Sequence, residues 1–203
     1  SRGELRISRL DVGHVRVLSR PAPEQKSAPL AAPRTLALPL RLKVDQLNLA
    51  SLTLEPAHFS LYRLQAAYDY DGARHRLQLQ RLDSPWGEAR AGLTLSAASP
   101  FALSGQLSAK GELEQVPVKA RLDLSGDLLK PAFSGEMDGK GVSVDIAGAL
   151  RPFDANPFNR LVRLDARVGN INPQAILPDW PKARLSFAVF AEPDAGQRVK
   201  GGL

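Results

Sequence analysis

Four times in the middle of this chain the pattern hydrophobic, small, Gly, any residue, hydrophobic recurs inside a stretch of alternating polarity. The copies are Leu103-Ser104-Gly105-Gln106-Leu107, Leu124-Ser125-Gly126-Asp127-Leu128, Phe133-Ser134-Gly135-Glu136-Met137 and Ile146-Ala147-Gly148-Ala149-Leu150. Successive side chains of a strand point to opposite faces, so each copy sets its two apolar ends and its Gly on one face. Gly-interrupted apolar ridges predict one sheet of repeated strands, bent where the Gly sits. Little else in the sequence is available to cover so much apolar face. The function is therefore expected in the sheet itself and not in a catalytic cluster.

Alternation extends nearly from end to end. Leu5 and Ile7 alternate with Arg6 and Ser8, and Val15 and Val17 flank Arg16. The cleanest stretch is Leu36, Leu38, Leu40, Leu42, Val44, with Arg41, Lys43 and Asp45 on the other side. Its phase slips before Leu47 and Leu49 and again before Leu52 and Leu54, as bulges or short turns would produce. Further strands are expected at Phe59–Tyr70, Arg74–Leu82, Glu88–Ala97, Phe101–Lys110, Val116–Leu124, Leu128–Met137, Val142–Leu150, Leu161–Val168 and Ala183–Ala191. Turn chemistry separates them, as in Tyr70-Asp71-Gly72 and Asp138-Gly139-Lys140-Gly141. The expected fold class is all-β, a mostly antiparallel, meandering sheet.

Two segments break the rhythm. Pro21–Pro33 is rich in Pro and Ala and reads as an exposed loop. Asn170–Pro181 has room for one helical turn, with Asn172 as N-cap and Pro173 at the first helical position. At 203 residues the chain suits one repetitive β domain over 1–203. No apolar run reaches the ~20 residues of a membrane-spanning helix, and no secretory leader is visible. Beginning without Met and stopping at Gly201-Gly202-Leu203, the sequence reads as a segment of a larger protein.

Candidate chemistry is sparse. With no cysteine, thiolate metal sites and disulfide scaffolds are ruled out. His14, His58 and His75 lie far apart without metal-ligand spacing, and read as surface or turn histidines. No nucleophile elbow, Walker loop or dinucleotide fingerprint occurs. Asp69, Asp71 and Asp83 read as solvated residues of turns and the polar face, so no catalytic residue, metal or cofactor is expected. A net charge of +6 invites a nucleic-acid reading. However, the basic residues alternate with apolar ones, as on the solvent side of a half-buried sheet, and lack interleaved stacking aromatics. Trp86, between Pro85 and Gly87, reads as a turn residue covering the sheet rim, with a lipid-interface anchor as the sharper alternative.

Leucine is favoured to an unusual degree: 32 leucines against 4 isoleucines, although β-branched residues normally lead in strands. A leucine wall is deformable and less interlocked than a sandwich core, which favours a wall facing something fluid.

The Leu-rich alternation, the Ser84-Pro85-Trp86-Gly87-Glu88 turn and the Leu-Ser-Gly repeats resemble the TamB family, of the wider AsmA-like group. So does Leu38-Pro39-Leu40-Arg41-Leu42-Lys43-Val44-Asp45-Gln46-Leu47-Asn48-Leu49 after a Pro-rich loop. The resemblance covers most of the chain, as an interior segment lacking the membrane anchor. It implies an elongated sheet rolled into an open groove, a β-taco. It also implies a periplasmic location, anchored in the inner membrane through an N-terminal segment outside this one. The family is implicated in phospholipid transport between the membranes and in outer-membrane protein assembly with a TamA-like barrel partner. It has no established catalytic residues.

On that reading the groove is lined by Leu38, Leu40, Leu42, Val44, Leu77, Leu79, Leu93, Leu95, Leu103, Leu107, Leu122, Leu124, Val142, Val144 and Ile146. Each methylene moved out of water contributes about 0.8 kcal/mol, so acyl chains are the expected partner. Two other readings stand beside the conduit: a scaffold that templates client strands on its edges, and a closed β-sandwich acting as a spacer.

Overall fold

The structure is a computed structural model that describes residues 3–18, 31–55, 59–113, 116–140, 142–171, 185–193 and 199–202. Thirteen strands form one sheet. They are β1 (Glu4–Ile7), β2 (Leu10–Leu18), β3 (Arg41–Glu55), β4 (Phe59–Tyr70), β5 (Arg74–Ser84), β6 (Gly87–Ser96), β7 (Leu103–Leu113), β8 (Val116–Gly126), β9 (Pro131–Gly139), β10 (Val142–Leu150), β11 (Leu161–Ile171), β12 (Leu185–Pro193) and β13 (Val199–Gly202). From β3 to β13 each strand pairs antiparallel with the next in sequence. The sheet is open, running from β1 to β13. Between β10 and β11 lies a single 3-10 turn, Pro157–Arg160, capped by the Asn156 side chain, which accepts from Phe158 N.

The meander fails at its start. β1 and β2 both lie along the outer edge of β3, parallel to it: β1 on Arg41–Val44 and β2 on Leu47–Glu55. A parallel pair requires a crossover of a dozen residues or more. The chain between Leu18 and Arg41, which contains the Pro/Ala-rich stretch, makes that connection.

The expected slip before Leu47 is a register shift on β4, between Val44 and Leu47. The second slip is not. Leu47↔Ala66 through Leu54↔Phe59 keep one register. The departure from regular geometry falls on β4, at Arg63, whose φ is +46°.

Several boundaries move for physical reasons. Leu38 and Leu40 are not on a strand, because β3 begins only at Arg41. Pro39 has no N–H to give a ladder, and Leu36 N is bonded to Ala97 O at 3.1 Å. Leu128 to Lys130 belong to a turn, where the Asp127 carboxylate accepts from Leu129 N and Lys130 N. Phe101 has a φ of +63° and sits in the turn before β7. Asn170 and Ile171 extend β11, while Asn172–Pro181 lies outside the described residues, as does His58. An Asn-Pro pair of the same kind caps the turn at Asn156-Pro157.

The well-packed core is small and one-sided. Among the described residues, the buried apolar side chains are Val44, Ala66, Tyr70, Ala97 and Phe101. Tyr70 and Phe101 are each 1% exposed. Most other apolar strand residues are only half-buried, since a single sheet leaves each face with no second layer among the described residues.

Candidate functional site

Directly paired residues of neighbouring strands share a face, so the register itself maps the surface. One row runs Val44, Tyr68, Leu77, Leu93, Gly105, Leu124, Phe133, Gly148, Leu164, Ala191 across ten strands, β3 to β12. The next row runs Leu47, Ala66, Leu79, Ala91, Leu107, Leu122, Gly135, Ile146, Ala166, Val189. A shorter row, Leu42, Tyr70, His75, Leu95, Leu103, closes the side where β4 turns into β5. Val142 and Val144 continue the same face of β10 beside Ile146. Neither long row contains a charged residue. With strands about 4.8 Å apart, the face extends roughly 43 Å across the sheet.

Thirteen of the fifteen residues expected to line an apolar surface therefore lie on this one face. The exceptions are Leu38 and Leu40, which belong to the segment leading into β3.

Three of the four motif glycines share the apolar face with the apolar ends of their motifs. Gly105 lies between Leu93 and Leu124, Gly135 between Leu122 and Ile146, and Gly148 between Phe133 and Leu164. The neighbours' side chains fill the missing Cβ positions. Leu93 Cδ1 stands 2.9 Å from the Cβ place of Gly105, and the Phe133 ring covers that of Gly148. Gly126 differs: it ends β8 with φ +91°, where a turn and not a row needs it.

The opposite face is polar, and its charges answer one another. An Arg-Leu-Asp tripeptide occurs at 9–11, 81–83, 121–123 and 163–165, and Lys-Val-Asp at 43–45. In each the cation and the carboxylate two residues on share the polar face. The contacts are Arg9–Asp11 at 3.0 Å, Arg81–Asp83 at 2.9 Å, Arg121–Asp123 at 3.1 Å, Arg163–Asp165 at 2.5 Å and Lys43–Asp45 at 3.7 Å. The intervening Leu or Val turns to the apolar side. Cross-strand partners complete the pattern: Arg6 reaches Asp45, Gln106 reaches Asp123, and Lys110 reaches Glu88. This repeat was legible in the sequence as a recurring tripeptide; a search for catalytic spacing passes over it.

The carboxyls are held below their usual range by these donors. For Asp123 the Gln106 amide leads, followed by Arg121; for Asp165 it is Arg163, and for Asp45 it is Arg6. Asp71 is lowered first by the backbone N–H groups of Ala73 and Arg74. Asp69 and Asp71 together hold Arg76, at 2.7 Å each. Asp83 is the exception to the expected solvated carboxylates. It is buried to 8% exposure between Arg81 and Arg63, and its pKa is lowered first by the Arg81 bond. A shallow hollow of about 820 Å³ on the polar face brings Arg121, Arg163 and Arg167 against Asp123, Glu136, Asp145 and Asp165, three cations to four carboxylates that largely pair with one another.

The histidines part company. His14 Nδ1 meets Ser51 Oγ at 2.6 Å between β2 and β3, a surface contact. His75 instead stands on the apolar face in a closed network. Its ring stacks on Tyr70 with centroids 4.5 Å apart, its Nε2 donates to Leu36 O at 2.9 Å, and its Nδ1 meets the Tyr68 hydroxyl at 2.7 Å. Because a carbonyl can only accept, Nε2 carries the proton, and in the neutral ring Tyr68 donates to Nδ1. Burial raises the Tyr68 phenol above its ordinary value, with Tyr70 and Asp69 adding to it. Trp86 occupies the β5–β6 turn, 57% exposed.

No group of three or more metal-ligating side chains occurs among the described residues, and no helix there is long and apolar enough to cross a membrane. No family model, curated protein or solved structure matches the chain.

Proposed function

We propose that the apolar face carries phospholipid acyl chains, and that the chain is a periplasmic segment of a TamB-like lipid-transport protein. The reading rests on one observation: uncharged rows that cross ten strands on one face with no second layer over them among the described residues. Rolled lengthwise, such a sheet is a groove with leucine inside and ion pairs outside. A wall without directed polar groups binds by area alone, so a chain can slide along it. In the whole protein this segment would continue to an inner-membrane anchor and toward a TamA-like outer-membrane barrel. It would act without catalysis, cofactor or nucleic acid.

Native mass spectrometry with lipid extraction, on protein purified without detergent from a bacterial host, tests the reading. Phospholipid should co-purify and be lost when Leu95 and Leu122 become Asp, while Ser108→Asp on the polar face keeps it. A lipid-free mass for the unaltered protein refutes it.

A second reading, strand templating for outer-membrane clients, is favoured by the outer edge of β2. Among the described residues, Leu10–Leu18 pairs with β3 alone, and its side chains are mostly exposed. Backbone-edge crosslinks to a client strand would support this use of the edge.

A further inference from the structure

The segment before β3 is built like the ligand it would compete with. Leu36, Leu38 and Leu40 are half-buried, and Ala37 and Pro39 between them are exposed, so the strip, which bends at Pro39-Leu40, turns three leucines inward. It passes the rim where Tyr70, Ala97 and Phe101 are buried, and the apolar-face side chain of His75 donates to its Leu36 carbonyl. Yet it belongs to no strand. Among the described residues, the hydrogen bonds that tie it to the sheet are Leu36 N to Ala97 O at 3.1 Å and His75 Nε2 to Leu36 O at 2.9 Å. A strip held by a few bonds opens at far lower free energy than the laddered sheet beneath it.

We propose that Leu36–Leu40 is a resident strap that occupies the β4–β6 end of the apolar face in place of an acyl chain, and must lift for lipid to reach it. The inference rests on the lipid reading above. It divides the face in two: among the described residues nothing lies over the part on β7–β12, whereas the part beside Leu95 is reached only when the strap releases. His75 is the latch, since it grips the strap carbonyl and is itself held by Tyr68 and Tyr70.

The chain has no cysteine, which makes the test clean. Ala37 and Ala98 are exposed and flank the bonded pair Leu36 and Ala97. Ala37→Cys with Ala98→Cys, joined by a short bismaleimide, locks the strap down. A photoreactive amino acid replaces Leu95 or, separately, Leu122, and the protein is mixed with phosphatidylethanolamine and phosphatidylglycerol vesicles. Lipid crosslinks at 122 in both states, and at 95 only without the lock, are expected. His75→Phe, without any lock, should raise the yield at 95. Equal yield at 95 in both states overturns the strap, as does crosslinking at 122 alone in both. Absence of lipid at either position in either state overturns the lipid reading itself.

Discussion

Phe133 lies directly opposite Gly148 in the β9–β10 ladder, and its ring occupies the space where a Cβ on residue 148 would stand. The Cζ of Phe133 is 2.5 Å from that position, and the Arg163 carbonyl closes the other side at 2.8 Å. Gly148→Ala must therefore move an aromatic ring against backbone, and should cost about 1–3 kcal/mol, in the range of overpacked cores. Gly13 on β2 has nothing within 4 Å of its Cβ place, so Gly13→Ala should change stability by less than about 0.5 kcal/mol. Urea unfolding midpoints of the two variants, side by side, check the contrast.

The polar face predicts a one-sided pH response. Asp11, Asp45, Asp71, Asp83, Glu88, Asp123 and Asp165 all have lowered pKa values in the folded chain. A depressed folded pKa gives stability that is present above the unfolded value and is lost as pH falls through the folded one. The melting temperature should accordingly hold level from neutral pH down to about 5 and drop below about 4. Because these groups are mostly exposed, added salt at neutral pH should weaken the contribution. A melting temperature that rises on acidification would contradict the ion-pair account.

Alternation carried most of the fold, because period two is strong wherever one face is apolar. β4 at Phe59–Tyr70 and β10 at Val142–Leu150 begin and end where the pattern places them. The same period misled at Leu36–Leu40, since alternation reports which side is apolar and says nothing of what the backbone pairs with. Pro39 was the available sign. The parallel placement of β1 and β2 had no local signal, because strand direction is set by the long connection and not by the strands. His75 was illegible for a similar reason: its partners Tyr68 and Leu36 are brought to it by two different pairings.

Two turns use one device, and this gives a matched pair of variants. The Asp71 carboxylate accepts from Ala73 N and Arg74 N, and the Asp127 carboxylate from Leu129 N and Lys130 N, all four at 2.8 Å. Each Asp→Ala change strips two backbone donors of their partner at an exposed turn, where water replaces part of the loss. A cost of about 1 kcal/mol is expected for Asp127→Ala. Asp71→Ala should cost more, because the same carboxylate also holds Arg76. Denaturation midpoints that rank the two in the opposite order would show that the Arg76 pair contributes nothing.

On the proposed lipid reading, the uncharged face predicts which part of a lipid is recognised. With no charged residue in either long row, the wall can read chain length but not head group. A methylene fully withdrawn from water contributes about 0.8 kcal/mol, close to fourfold in affinity. A single-layer sheet covers a chain from one side, so roughly half that value, about twofold per methylene, is expected. Competition among phospholipids of stepped acyl length should show affinity rising by that factor per carbon. At fixed length, phosphatidylethanolamine and phosphatidylglycerol should compete equally, with little change as salt is raised. A strong preference for the anionic lipid that salt abolishes would place recognition on the arginines of the polar face, and the acyl-chain reading would fall.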